Sequence, residues 1–192
     1  WNYFSTCLIN TSNTFVANAG IFGKVYFPRL VIPLSVVLSN LIRFGIQLGL
    51  FVAVLIFYII KGSVLISFSW DLLLLPVLVL LMAGIGLGLG IIISSLTTKY
   101  RDFTVLIGFS VQLMMYATPV AYPLSFLENK SFAPFIEWNP LSAVVEGFRY
   151  CIFQSGAFTV SDLIYPTVFC CISILAGALI FTKVERTFMD TV

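Results

Sequence analysis

Residues 97–109 read T-T-K-Y-R-D-F-T-V-L-I-G-F, and three charges fall within four of them: Lys99, Arg101 and Asp102. On either side the chain is free of charge, from Leu72 to Thr98 and from Phe103 to Leu127. A helix needs about 20 apolar residues to cross the hydrocarbon core of a bilayer. K-Y-R-D therefore reads as a water-exposed turn between two membrane spans.

Composition extends this reading to the whole chain. Of the 192 residues 60% are apolar and only 9% are charged, against about a quarter charged in an ordinary soluble domain. Most of the surface must then face something other than water. Histidine, the commonest metal ligand and general base, is absent. Cys7, Cys151, Cys170 and Cys171 show no C-x-x-C spacing, which favours buried, inert thiols over a metal site or a disulfide framework. No basic stretch ahead of a short apolar run marks a signal peptide. The chain starts at Trp1, and a missing N-terminal part is expected.

The expected fold is an all-α, polytopic helical bundle forming one membrane domain over residues 1–192. Residues 72–96 and 103–122 are the spans that flank K-Y-R-D. Residues 44–60 are uncharged, and extension back to about residue 32 makes a long, tilted span. Residues 160–182 form another, with Asp162 at its edge. Residues 2–19 are uncharged but rich in Ser, Thr and Asn. A polar loop and a helix are both open there; the helix is preferred, because hydroxyl and amide side chains bond between membrane helices and line polar paths. That makes five visible spans.

Lysine and arginine concentrate in short cytoplasmic loops. One side of the bundle holds Lys24, Arg29, Lys99, Arg101, Lys183 and Arg186; the other holds Lys61, Lys130 and Arg149. This bias puts K-Y-R-D and the C-terminus inside.

Residues 123–156 contain two apolar stretches too short to span, broken by Pro134 and by Asn139-Pro140. Asn139 suits a helix cap and Pro140 a first helical position. Two short re-entrant helices in the outer leaflet are expected, with Glu146 and Arg149, three apart, able to pair on one face. An amphipathic surface helix is the alternative.

Two motifs separate chemistry from packing. The run A-G-I-G-L-G-L-G (83–90) matches neither G-x-G-x-x-G nor a P-loop. It holds G-x-x-x-G twice, Gly84 with Gly88 and Gly86 with Gly90, which lets membrane helices approach closely. Residues 20–30, G-I-F-G-K-V-Y-F-P-R-L, mix aromatics with Lys24 and Arg29. Insertion into a cytoplasmic partner and plain interfacial anchoring are both open on composition. Arg43 sits well inside its span, where a charge faces a cavity or partner, or snorkels. The spans hold no carboxylate pair, Ser/Lys dyad or metal cluster, which disfavours an intramembrane enzyme.

Taken in order, F-G-K-V-Y-F-P-R-L-V-I-P, S-S-L-T-T-K-Y-R-D-F, T-P-V-A-Y-P-L and W-N-P-L-S-A-V-V-E-G-F-R resemble the ABC type-2 permeases that export polysaccharides and polyol phosphates. These include the O-antigen, capsule and teichoic acid exporters. The resemblance runs through the whole chain. It implies six spans in the full-length permease, of which the first is missing here, and residence in a bacterial or archaeal cytoplasmic membrane. It implies a homodimer of permeases with two separate ATP-binding-cassette subunits, which use ATP and Mg; the permease itself is not an enzyme and has no cofactor of its own. The loop at 20–30 would dock in the ATPase through Phe22, Lys24, Tyr26, Phe27, Pro28 and Arg29. Lys99, Tyr100, Arg101 and Asp102 would stand at the cytoplasmic channel mouth, and the 123–156 segment at the outer exit.

The implied cargo is a lipid-linked glycan, with membrane lipid as surroundings and no role for nucleic acid. Sugars slide along walls of hydroxyls, amides and aromatic faces, and Ser5, Asn10, Asn13, Phe109, Tyr116 and Tyr122 are the candidates for that wall. An exporter of drugs or other small molecules from the same superfamily is the alternative. An ion-coupled secondary transporter fits the broken helices but lacks a carboxylate in mid-span.

Overall fold

The computed structural model describes residues 1–22, 30–62, 70–100, 102–126, 133–154 and 158–189. Among these all regular structure is helical, with no strand. Its order is α1 (Asn2–Ser12), α2 (Thr14–Phe22), α3 (Val31–Ile60), α4 (Leu75–Lys99), α5 (Phe103–Tyr116), α6 (Ala133–Glu137), α7 (Pro140–Phe153) and α8 (Ile164–Met189). Short 3₁₀ turns lead into α4 at Trp70–Leu74 and into α8 at Val160–Leu163. This is the helical, polytopic membrane fold anticipated from composition.

Among the described residues, three stretches are long and apolar enough to cross a membrane: Val31–Ile60, Trp70–Thr97 and Val160–Lys183. In hydrocarbon every backbone polar group needs an internal partner, and a helix supplies one. The other two expected spans are built differently. The Ser/Thr/Asn-rich segment is helical, not a loop, but Asn13 divides it into α1 and α2. The helix after K-Y-R-D stops at Tyr116 instead of running to 122. Pro119 explains the stop, since it offers no N–H and disfavours helical backbone at the residue before it. The 14 residues of α5 extend only about 21 Å.

α4 is the centre of the bundle and packs most extensively on α8 and α1. Its glycines explain how both neighbours come close. Gly84 and Gly88 face α8: a Cβ on Gly84 would strike the Cys170 sulfur, and one on Gly88 would lie 2.5 Å from Ser173 Oγ and 2.7 Å from its backbone carbon. Gly86 and Gly90 face α1: their Cβ atoms would lie 3.3 Å from Cys7 Cβ and 2.6 Å from Thr11 Cβ. The two interleaved G-x-x-x-G pairs thus serve two different neighbours.

The core is apolar and continuous. Phe4, Cys7 and Leu8 of α1 meet Leu78, Met82 and Ile85 of α4, with Leu141 and Val144 of α7 closing one end. Toward the other end Phe15 of α2 stacks on Phe181 of α8, ring centroids 4.6 Å apart, beside Ile91. α3 is the exception. Only Pro33, Val37 and Asn40 are buried along it, while Ile42, Ile46 and Leu50 are each at least 65% exposed. A 30-residue apolar helix bare to this degree is solvated by lipid or by other protein.

Candidate functional site

α1 has two unlike faces. Phe4, Cys7, Leu8, Thr11 and Ser12 are buried. The opposite side carries Asn2 and Asn10, both exposed, with Ser5, Thr6 and Asn13 half-buried. The hydroxyls of Ser5 and Thr6 donate to the Asn2 carbonyl at 3.1 and 2.7 Å, so the helix satisfies them without a neighbour. α5 packs beside α1. It buries Ile107 and Val111 and leaves Phe109 and Tyr116 more than 60% exposed. Ser5, Asn10 and Asn13 on one helix and Phe109 and Tyr116 on the next therefore line open surfaces of adjoining elements.

The break at Asn13 is held by α4. The Thr97 hydroxyl lies 2.9 Å from both the Ser12 and the Ser94 carbonyl oxygens. The Phe15 N–H donates to Ser94 Oγ at 3.5 Å. A helix break exposes backbone groups that lipid cannot satisfy; here two α4 hydroxyls take them up. Sequence reasoning had no role for Ser94 and Thr97, and the only signal for them was the S-S-L-T-T run at the end of a long apolar stretch.

The far end of α5 is clamped by α7. Asn139 caps α7, its Oδ1 accepting from the Leu141 N–H at 3.1 Å. Its Nδ2 donates to Thr118 Oγ1 at 2.9 Å and to the Ala117 carbonyl at 3.3 Å. Arg149 Nη1 donates to Glu146 Oε2 at 2.6 Å, and Nη2 reaches the carbonyls of Pro119 at 3.1 Å and Tyr122 at 3.4 Å. Tyr122, a wall candidate, is turned back to the same place, its hydroxyl donating to the Tyr116 carbonyl at 2.7 Å. The Tyr165 hydroxyl, at the start of α8, donates to the Trp138 carbonyl at 2.8 Å. The Glu146–Arg149 side chains meet as their spacing allows; that Arg149 also binds the T-P-V-A-Y turn was not legible in spacing.

The cytoplasmic candidates are only partly covered. Tyr100 is 52% exposed, its ring 6.2 Å from that of Phe103. Asp102 is exposed at the start of α5 without a side-chain capping bond. Lys99 closes α4 and Phe22 closes α2. Lys24, Tyr26, Phe27, Pro28 and Arg29 of the 20–30 segment, and Arg101, lie outside the described residues. Among the described residues no group of three His, Cys, Asp or Glu side chains gathers as a metal site.

Residues 2–153 match the ABC-2 type transporter family. The chain is 30% identical over 192 residues to an O-antigen export system permease protein RfbA of Klebsiella pneumoniae, covering 99% of this chain and 71% of that protein. A second such permease from the same organism is 28% identical, covering 99% and 71%. One from Myxococcus xanthus is 25% identical, covering 100% of this chain and 72% of its own length.

Proposed function

Because this chain belongs to the ABC-2 type transporter family, we propose that it forms the membrane path of an ATP-driven exporter whose cargo is a lipid-linked polysaccharide. It is an integral protein of the cytoplasmic membrane and works with an ATPase subunit. The finer assembly, two permeases with two ATPases using ATP and Mg, is part of the proposal.

The observation that supports the cargo is the exposure of amides on α1 and of rings on α5, two helices in contact. Membrane helices ordinarily turn amides toward protein and apolar groups toward lipid. Asn2 and Asn10 on α1 and Asn13 at its end do not fit a lipid face, and Phe109 and Tyr116 stand on the neighbouring helix. A second permease facing this wall would enclose a path of amides, hydroxyls and rings. Sugars suit such a path: their hydroxyls exchange hydrogen bonds with the amides, and their C–H faces lie against aromatic rings. That relatives named O-antigen export permeases match nearly the full chain supports the same cargo.

Residues 20–30 supply the coupling in this proposal. Phe22, Tyr26 and Phe27 seat the loop in the ATPase, with Lys24 and Arg29 as charged contacts. Closure of the ATPase pair on ATP pushes the loop, which joins α2 to α3 and so shifts both against the partner permease.

The test is co-purification and ATP hydrolysis by the full-length permease with its ATPase in lipid, with and without charge reversal at Lys24 and Arg29. A complex that hydrolyses ATP and weakens on reversal supports the coupling role. A permease that binds no ATPase sinks it. Uptake of labelled glycan into inverted vesicles, compared with a small-molecule cargo, decides the substrate class.

A further inference from the structure

The break between α1 and α2 has no covalent cause. Thr11, Ser12, Asn13 and Thr14 include neither proline nor glycine, the residues that ordinarily break or kink a helix. Asn13 has φ −92° and ψ 3°, a moderate rotation away from helical backbone. The two sides of the break are anchored unequally. α1 lies in the close contact that Gly86 and Gly90 allow, and it packs on α4 far more extensively than α2 does. α2 is anchored at its first turn, where Phe15 packs on Phe181 and Ile91.

The hydrogen bonds at the break are exchangeable. A hydroxyl carries one hydrogen, yet Thr97 Oγ1 lies 2.9 Å from two acceptors, the Ser12 carbonyl on α1 and the Ser94 carbonyl on its own helix. Released from Ser12, it keeps a partner. Thr14 is short of one: its hydroxyl oxygen is buried without a hydrogen-bond partner. Elsewhere Thr6, Thr118, Thr167 and Thr182 each donate to the carbonyl four residues earlier, at 2.7–2.9 Å. The corresponding acceptor for Thr14 is the Asn10 carbonyl, on the far side of the break.

We propose that residues 2–22 have a second, continuous helical form, and that the α1–α2 junction switches between the two. In the continuous form the N–H groups of Phe15 and Val16 donate to the Thr11 and Ser12 carbonyls, as helix geometry dictates. The Thr14 hydroxyl donates to Asn10, and Thr97 falls back on Ser94. Each bond across the break is exchanged for one within a helix, so neither form strands a backbone group in the membrane. Two packings that satisfy the same groups make a bistable element. The continuous helix extends about 32 Å, enough to cross the hydrocarbon core, which neither α1 nor α2 does alone. Because α1 is fixed on α4, the change swings α2, and α2 leads into residues 20–30. The drive for the switch, a push from the ATPase on that segment, rests on the function proposed above.

Pulsed electron spin resonance tests the switch in the full-length permease with its ATPase in nanodiscs, one labelled copy diluted among unlabelled ones. Spin labels at Ala17 and Leu80 report α2 against α4. Labels at Asn10 and Leu73 report α1 against the turn that leads into α4; all four positions are exposed. Ala17–Leu80 is expected to show two distances and Asn10–Leu73 one. Asn13→Ala is expected to enrich the continuous form about fivefold over Asn13→Gly, the ratio set by helix propensity. Thr14→Val is expected to deplete it, since it removes the hydroxyl that only this form satisfies. Trapping the ATPase with ATP and vanadate is expected to redistribute the same two distances. A single Ala17–Leu80 distance, the same in Asn13→Ala and Asn13→Gly, would overturn the proposal, as would equal movement of the Asn10–Leu73 pair. Two distances that answer to residue 13 but not to nucleotide would uphold the switch and overturn only its drive by the ATPase.

Discussion

Arg149 on α7 holds the carbonyl of Pro119, beyond the end of α5, at 3.1 Å, while its other arm binds Glu146 at 2.6 Å. Pro119 ends α5 by sterics, and the same turn is secured by a guanidinium from another helix. The C-terminal end of α5, which carries Tyr116, is thereby tied to α7.

Arg149→Ala is expected to destabilise the protein by about 3–5 kcal/mol, because it leaves a buried carboxylate without its cation. Only 7% of the Glu146 side chain is exposed. Arg149→Lys keeps an ion partner but loses the fork that reaches two carbonyls, so its loss is expected to be smaller. Thermal unfolding of the solubilised protein measures both, and an Arg149→Lys variant as stable as the unaltered protein would show that the carbonyl contacts contribute nothing.

Gly88→Ala is expected to cost about 1–3 kcal/mol, the usual penalty for overpacking. Its Cβ would meet Ser173 backbone at 2.7 Å, and backbone cannot swing aside. Gly108→Ala on α5 is the contrast, since nothing lies within 4 Å of the new Cβ. It is expected to be neutral or to stabilise by up to about 1 kcal/mol through helix propensity. Unfolding in denaturant, run on both variants, distinguishes close approach from a general intolerance of larger side chains.

Thr97→Val removes the hydroxyl beside the Ser12 carbonyl and leaves that buried acceptor short of a partner, at a cost of about 1–3 kcal/mol. Faster amide exchange around residues 12–16 is the expected sign that the α1–α2 break has loosened. Unchanged exchange there would assign the hydroxyl to Ser94 alone.

Phe109→Ala and Tyr116→Ala are expected to leave stability within about 0.5 kcal/mol, as substitutions of exposed side chains generally do. Glycan export is expected to fall about two- to tenfold for each, the equivalent of the 0.5–1.5 kcal/mol that an aromatic contact contributes. Transport in inverted vesicles measures it, and full export by the double variant would remove these rings from the path.

Much of the fold was legible from the position of charges alone. Lys99 closes α4 and Asp102 precedes α5, so the charged cluster falls at a helix boundary as its isolation in an apolar sequence required. Asn139-Pro140 opens α7 as a capping residue followed by proline should. Other features were beyond reach. The Ser/Thr/Asn content of residues 2–19 fitted loop and helix alike, and the hydroxyls of Ser94 and Thr97 that meet the break at Asn13 lie 79 and 85 residues from their partners in sequence. Arg149 was expected to pair with Glu146, but its grip on Pro119 depends on a turn 30 residues away. That the Tyr122 hydroxyl donates to the Tyr116 carbonyl was likewise not legible in spacing.

The amino-acid order by itself determined that this protein is a bundle of membrane helices, because long uncharged runs must satisfy their backbone internally and the few charges must stay at the ends. The tertiary structure alone decided that Gly84 and Gly88 receive α8 while Gly86 and Gly90 receive α1. It alone left the polar side of α1 and the rings Phe109 and Tyr116 of the adjoining α5 exposed. The reason is physical: spacing sets which residues share a helix face, but which neighbour covers that face is settled only when the helices pack together.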